Sequence, residues 1–340
     1  VGRHRLMLAR TAEQLFWAGR YLERAEHTAR LMDVTYHRLL EATPVEQAEA
    51  WRDVLGCVSQ AKAFAERCRP VSGREVSAFL VADTDNPGSI ASSVAQARSN
   101  ARGVREQLPA EWWEVLNSFS LELAARNLQR ELDSQPSDLY RFVRRGVLSV
   151  LGVADGTWTR DEGWLFFMLG VHLERAEMTA RTLRVRFPRH RADEVHEWFA
   201  TLRVASALST YRRRYRDYDR RSLVDLLLLS GDVPRSVLFS MRHAESILRS
   251  VVDPEGSLSV RLTGRSRAEL EFADADELMA AGNIIEVLQL VEEQIRAISN
   301  SVAAECFLSH AELDLQSLHV LPGAVPFTPE ADHDPAQAGS

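Results

Sequence analysis

The chain has 340 residues, enough for one large or two ordinary domains with a sizeable core. Hydrophobic residues make up 45% and charged residues 26%, a globular rather than a disordered composition. Its 41 Lys and Arg, all but Lys62 arginines, are outnumbered by 48 Asp and Glu, and the formal net charge of −7 gives no electrostatic ground for general nucleic-acid binding.

The first residues, Val1-Gly-Arg-His-Arg-Leu6, have no signal-peptide apolar core, so Met7 reads as the true start and residues 1–6 as an extension. Helical periodicity then predicts helices at Thr11–Leu40, Glu46–Glu66, Gly73–Val81, Pro87–Leu108, Ala110–Leu132 and Pro136–Leu151. A second series is expected at Asp161–Arg186, Ala192–Tyr211, Ser222–Leu229, Pro234–Val252, Arg265–Ala273 and Asn283–His310. Asp85-Asn-Pro87 and Asp232-Val-Pro234 each place an Asp and a proline where a helix is expected to begin. No segment alternates as a strand would, and residues 322–340 have the composition of a disordered tail. No apolar run approaches the ~20 residues of a membrane span. Cys57, Cys68 and Cys306 form neither a CxxC nor a Cys/His cluster, so no metal or disulfide framework is expected, and a reducing cytoplasm is.

The chain repeats itself. Phe16-Trp-Ala-Gly-Arg-Tyr-Leu-Glu-Arg-Ala-Glu-His-Thr-Ala-Arg30 aligns with Phe167-Met-Leu-Gly-Val-His-Leu-Glu-Arg-Ala-Glu-Met-Thr-Ala-Arg181, 151 positions later. Trp51 and Trp198, Leu80 and Leu227, Pro87 and Pro234, and Ser89 and Ser236 follow in the same order, each pair 147 apart. The expected architecture is therefore an all-α helical bundle of two pseudo-symmetric, internally duplicated units, at about residues 10–132 and 161–310.

At ~100° per residue, Gly19, Glu23, Glu26 and Arg30 fall within about 60° on one face, as do Gly170, Glu174, Glu177 and Arg181. Arg24 and Arg175 lie more than ~100° away and are expected to point elsewhere. A separate apolar arc is formed by Leu22, Ala25, Ala29 and Met32, and by Leu173, Ala176, Ala180 and Leu183. Phe167, Val171, Met178 and Val185 border the second charged strip, which therefore reads as buried; buried carboxylates require partners. Three readings stay open: a structural Glu/Arg network across the two glycines, a polar ligand site at the bundle centre, or a solvated strip with an i,i+4 pair. A ferritin-like metal site needs Glu-x-x-His on two helices, which neither copy carries.

Two further constellations carry charge. Arg98, Arg102 and Arg105 share a helix face, either solvated or turned toward the first-copy carboxylates or an anion. Tyr211-Arg-Arg-Arg-Tyr-Arg-Asp-Tyr-Asp-Arg-Arg221 packs six arginines into eleven residues. There Arg212, Arg213 and Arg214 suit a helix C-terminus or an anionic partner, and Tyr211, Tyr215 and Tyr218 would allow stacking on a base. No GxxxxGK[ST], GxGxxG or GxSxG is present, so an enzymatic reading would rest on the Glu strips alone.

These residues resemble the bacterial alpha-E domain family, helical domains with a Glu-Arg motif. The similarity runs through Arg10–Arg30, Asp85-Asn-Pro-Gly-Ser-Ile90, Ala97–Gln107 and Trp112 to Asn117, and recurs in Gly170–Arg181, Tyr211–Tyr215 and Pro234-Arg-Ser236. It covers about Met7 to Leu321, as in a stand-alone, full-length member, and departs from the family at Ala91-Ser-Ser93, where bulkier apolar residues are usual. The resemblance implies genomic company: circularly permuted ATP-grasp proteins, transglutaminase-like proteases and a proteasome-related hydrolase. It thus implies an accessory or co-catalytic role in an ATP-dependent amide- or peptide-forming system, with activation chemistry on the ATP-grasp partner and a peptide as substrate. It implies no catalytic residues, cofactor, membrane or nucleic-acid partner. An enzyme using Glu23/Glu26 and Glu174/Glu177, and a pure assembly scaffold, are the alternatives.

Overall fold

A computed structural model describes residues 8–40, 42–67, 70–187 and 194–307. The N-terminal extension with Met7, Cys68, residues 192–193 at the start of one expected helix, 308–310 at the end of another, and the tail expected to be disordered lie outside the described residues. The described residues contain sixteen α-helices and no strand, as the helical periodicity requires. The first eight are α1 (Ala9–Arg38), α2 (Pro44–Cys57), α3 (Ala61–Glu66), α4 (Gly73–Ser77), α5 (Ile90–Gly103), α6 (Ala110–Ala125), α7 (Leu128–Ser134) and α8 (Pro136–Thr157). The second eight are α9 (Glu162–Arg186), α10 (Glu194–Val204), α11 (Leu208–Arg214), α12 (Arg220–Leu227), α13 (Val237–Val251), α14 (Leu258–Glu271), α15 (Ala275–Ala280) and α16 (Ile284–Cys306). No described helix is long and apolar enough to cross a membrane.

Several expected helices are interrupted, each for a local reason. The helix expected over 46–66 breaks at Ser59 and that over 192–211 breaks at Ser206, where φ is 57° and 53°. In both, the next amide closes a six-residue turn onto the preceding helix, Gln60 N to Leu55 O and Ala207 N to Leu202 O, each 2.8 Å. This is how a helix ends on a left-handed residue, and Ser59 and Ser206 are themselves 147 positions apart. The helix expected over 110–132 ends at Ala125, and Asn127 restarts it by accepting from the Arg130 amide at 3.0 Å. Pro87 and Pro234 stand in turns before their helices, whose N-cap positions belong to Ser89 and Ser236. Helix α14 starts seven residues before the expected Arg265, and α15 was not expected.

The central pair is α1 and α9. Each is buried on most of its circumference, α1 through Leu15, Phe16, Leu22, Ala25, Ala29 and Met32 and α9 through Phe167, Leu169, Leu173, Ala176, Ala180 and Leu183. Each large apolar side chain so buried contributes ~1.5–3 kcal/mol. Around α1 lie α5 and α8, with α6 against both; around α9 lie α13 and α16, with α14 against both. The same order of neighbours thus recurs. The helices α2 and α10 cross over: α2 packs on α9 and α10 on α1. At the crossing the backbones touch. A Cβ on Gly19 would lie 2.1 Å from the Phe167 carbonyl oxygen, and one on Gly170 2.0 Å from that of Phe16. No side chain fits there, so both positions require glycine.

Candidate functional site

Beyond the crossing, α1 and α9 run side by side in the same sense, and their charged residues meet. Glu23 accepts from Arg175 of α9 (Nε 3.0 Å, Nη2 2.7 Å) and from Arg235 Nη1 at 2.8 Å. Arg235 also reaches Glu26 through Nη2 at 2.6 Å, and the other Glu26 oxygen takes Arg30, one turn on. The second cluster mirrors the first. Glu174 accepts from Arg24 (Nε 2.7 Å) and Arg20 (Nε 2.6 Å), and Glu177 from Arg20 Nη2 at 2.5 Å and from Arg181. Both oxygens of all four carboxylates are therefore engaged by guanidinium groups.

The structure thus places the six residues of the two Glu strips in two ion-pair clusters, three in each, and it corrects the reading of Arg24 and Arg175. These arginines do turn from the strip on their own helix, but only to clasp the glutamate of the opposite one. Sequence reasoning also missed three partners. Arg20 is one residue beyond Gly19 on α1, Arg235 lies in the turn before α13, and Glu292 on α16 bridges Arg181 (3.1 Å) and Arg184 (2.5 Å). The Pro-Arg-Ser segment at 234–236 was the available signal for Arg235. Arg235 and Arg20 do equivalent work from inequivalent places: the positions matching them in the other half hold Gly88 and Val171.

Burial sharpens these pairs. Glu23 and Glu26 are fully buried and Glu174 is 1% exposed. Burial alone would raise the carboxyl of Glu174, but Arg24 and Arg20 overcome it and hold it at about 2. In the same way Arg175 and Arg235 hold Glu23 well below the carboxylate range, and Arg235 with Arg30 lowers Glu26. Beside them His27 is kept neutral, its pKa pushed down to about 4 by burial and then by Arg235; its Nε2 lies 3.2 Å from Thr182 Oγ1. A carboxylate whose oxygens are occupied and whose pKa is depressed is a poor proton donor or base near neutrality. The network ties α1, α9 and the Arg235 turn to one another.

The other constellations fall elsewhere. Arg98 donates to Asn117 Oδ1 at 2.8 Å, Arg105 lies over the Trp113 ring and Arg102 is exposed, so this strip does not face the first-copy carboxylates. In the Arg/Tyr segment, Arg214 pairs with Asp232, Arg212 donates to Tyr218 Oη (3.1 Å) and Arg213 to Thr210 Oγ1 (3.3 Å). The phenol of Tyr215 donates to Asp225 Oδ2 at 2.5 Å and that of buried Tyr211 to the Asp217 carbonyl at 2.8 Å. Tyr218 is stacked between Tyr211 and Phe199, which leaves no open face of Tyr211 or Tyr218 for a base.

Comparison with known proteins agrees with this picture. A family profile described as "a predicted alpha-helical domain with a conserved ER motif" matches residues 7–307. Among curated proteins, relatives named only as uncharacterized proteins of Mycobacterium bovis and of Mycobacterium tuberculosis are 26% identical to this chain over 324 residues. The matches cover 87% of this chain and 36% of those relatives, so the chain spans about a third of their length. No solved structure matches.

Proposed function

Because this chain belongs to the alpha-E family, we propose that it is a non-catalytic subunit of an ATP-grasp-dependent, amide- or peptide-forming system in the cytoplasm. In this reading it binds the ATP-grasp protein and positions a peptide substrate, while activation chemistry stays with the partner. The partner class rests on the family resemblance. The observation that carries the non-catalytic role is the engagement of the Glu/Arg network: every carboxylate oxygen of Glu23, Glu26, Glu174 and Glu177 already accepts from a guanidinium group. The matched relatives give further support, since in them the corresponding segment lies within a chain nearly three times as long as the segment itself. A module that accompanies other sequence fits a binding role.

The internal repeat belongs to the same proposal. The recurring order of helix neighbours, the paired glycines and the equivalent breaks at Ser59 and Ser206 support a duplicated unit whose charged motif became the seam between copies.

The test is co-expression with a circularly permuted ATP-grasp protein of the kind the family resemblance implies, followed by size-exclusion chromatography at micromolar concentrations. Co-elution, with amide formation dependent on the complex, is expected. Failure to co-elute would overturn the reading. Product formation by this chain alone would replace it with the enzymatic alternative, and a complex that leaves product formation unchanged would replace it with the scaffold.

A further inference from the structure

The two halves of the network are not equally complete. In the second half, Arg181 donates from Nε to Glu292 at 3.1 Å and from Nη2 to Glu177. Arg30 is its counterpart and gives Nη2 to Glu26, but its Nε is buried with no acceptor among the described residues. The reason lies on the neighbouring helix. Glu292 of α16 pairs with Arg184 of α9; in the first half Arg144 of α8 pairs at 3.0 Å with Asp33, which stands at the position matching Arg184. The pair has reversed its polarity, so the place of the Glu292 carboxylate is taken by a cation.

A cavity of about 260 Å³ opens at this spot. It is lined by Arg144, Arg203, Ser206 and Ser209, with Asp33 its single acid. Asp33 is already committed to Arg144 and lies 3.5 Å from His37. Arg203 is exposed and has no partner among the described residues, and Arg144 Nε is a second buried donor without one. Behind the lining stands Arg30, 6% exposed, donating from Nη1 to Ser206 Oγ. That bond occupies an acceptor site of the hydroxyl and leaves its own proton available to the cavity. Three arginines thus converge on a pocket whose only carboxylate is spent, whereas the equivalent region of the other half is closed by Glu292.

We propose that this cavity binds the oxyanion of a small ligand, a carboxylate or a phosphate, held by Arg203, Arg144 and the hydroxyls of Ser206 and Ser209. The anion supplies there the charge that Glu292 supplies in the other half. Arginine forks and hydroxyls form the charge-assisted bonds that such groups prefer. The volume admits a ligand of amino-acid size and excludes a folded partner. The proposal goes beyond the subunit reading and does not depend on it.

The test is isothermal titration of the full chain, in low-chloride buffer near neutral pH, with L-glutamate and separately with inorganic phosphate. Saturable binding of either probe, weakening as salt rises, is expected; which probe binds tells carboxylate from phosphate. The exposed Arg203→Gln should weaken that binding about tenfold or more while leaving the ligand-free melting temperature unchanged, because Arg203 supports nothing else. Ser209→Ala should weaken it less. The proposal is overturned if neither probe saturates, or if Arg203→Gln binds as the wild type does.

Discussion

Glu174→Gln keeps the shape of a side chain that is 1% exposed and removes its charge. It leaves Arg20 and Arg24 without their shared carboxylate, although Arg20 keeps Glu177 and Ser299 Oγ and Arg24 is 23% exposed at its side chain. Breaking a buried ion pair costs ~3–5 kcal/mol, and those residual contacts place this case near ~3 kcal/mol. The arginines also hold the carboxyl well below its ordinary 4.5, at about 2, so the fold favours its ionised form. The corresponding fall in melting temperature is roughly 5 °C for a folded unit of this size, read by calorimetry near neutral pH. Because the folded-state value is the lower one, the contribution is fully present above about pH 4.5 and is lost as pH falls toward about 2. The gap between wild type and variant should therefore close on acidification. Adding Arg24→Met should cost less than the sum of the single changes. A loss below ~1 kcal/mol for Glu174→Gln, or a gap that does not close in acid, would refute the argument that this network stabilises the fold.

Three further outcomes follow from particular positions. Gly19→Ala or Gly170→Ala should abolish cooperative unfolding or soluble expression, since each methyl would sit about 2 Å from a carbonyl oxygen. The control Gly152→Ala meets nothing within 4 Å and should stabilise α8 by ~0.5–1 kcal/mol, checked by chemical denaturation. Ser59→Gly should raise stability by roughly 0.5–1 kcal/mol, because the φ of 57° there strains any residue with a Cβ. Cys57, fully buried with its thiol pushed up by that burial, should resist alkylation at mildly alkaline pH until the chain is denatured. Labelling mapped to Cys57 by mass spectrometry decides the point.

The faces of α1 and α9 were legible because helical period alone fixes them: Gly19, Glu23, Glu26 and Arg30 share one side, as Gly170, Glu174, Glu177 and Arg181 do on the other helix. The partners were not. Arg24 was read against its own helix, where it does point away from Glu23, and nothing in a single helix's periodicity shows that the opposite helix lies there. Arg235 and Glu292 reach the site from 209 and 115 positions beyond Glu26 and Glu177, a tertiary relation no local pattern encodes. The breaks at Ser59 and Ser206 were hidden for another reason. Both serines end helices in a backbone conformation usually marked by glycine, so neither carried the expected signal.

The crossing of α2 onto α9 and of α10 onto α1 has a consequence for how the chain is made. Glycines 19 and 170 are 151 residues apart, so α1 emerges long before the helix that neutralises Glu23. At ribosomal speeds of ~5–20 residues per second the wait is roughly 8–30 s. During it α5 and α8 can already cover part of α1, but its α9-facing carboxylates and apolar surface lack the helix that receives them. A nascent first half should thus be a client for chaperones, and co-produced fragments divided between α8 and α9 should reconstitute one another where neither folds alone.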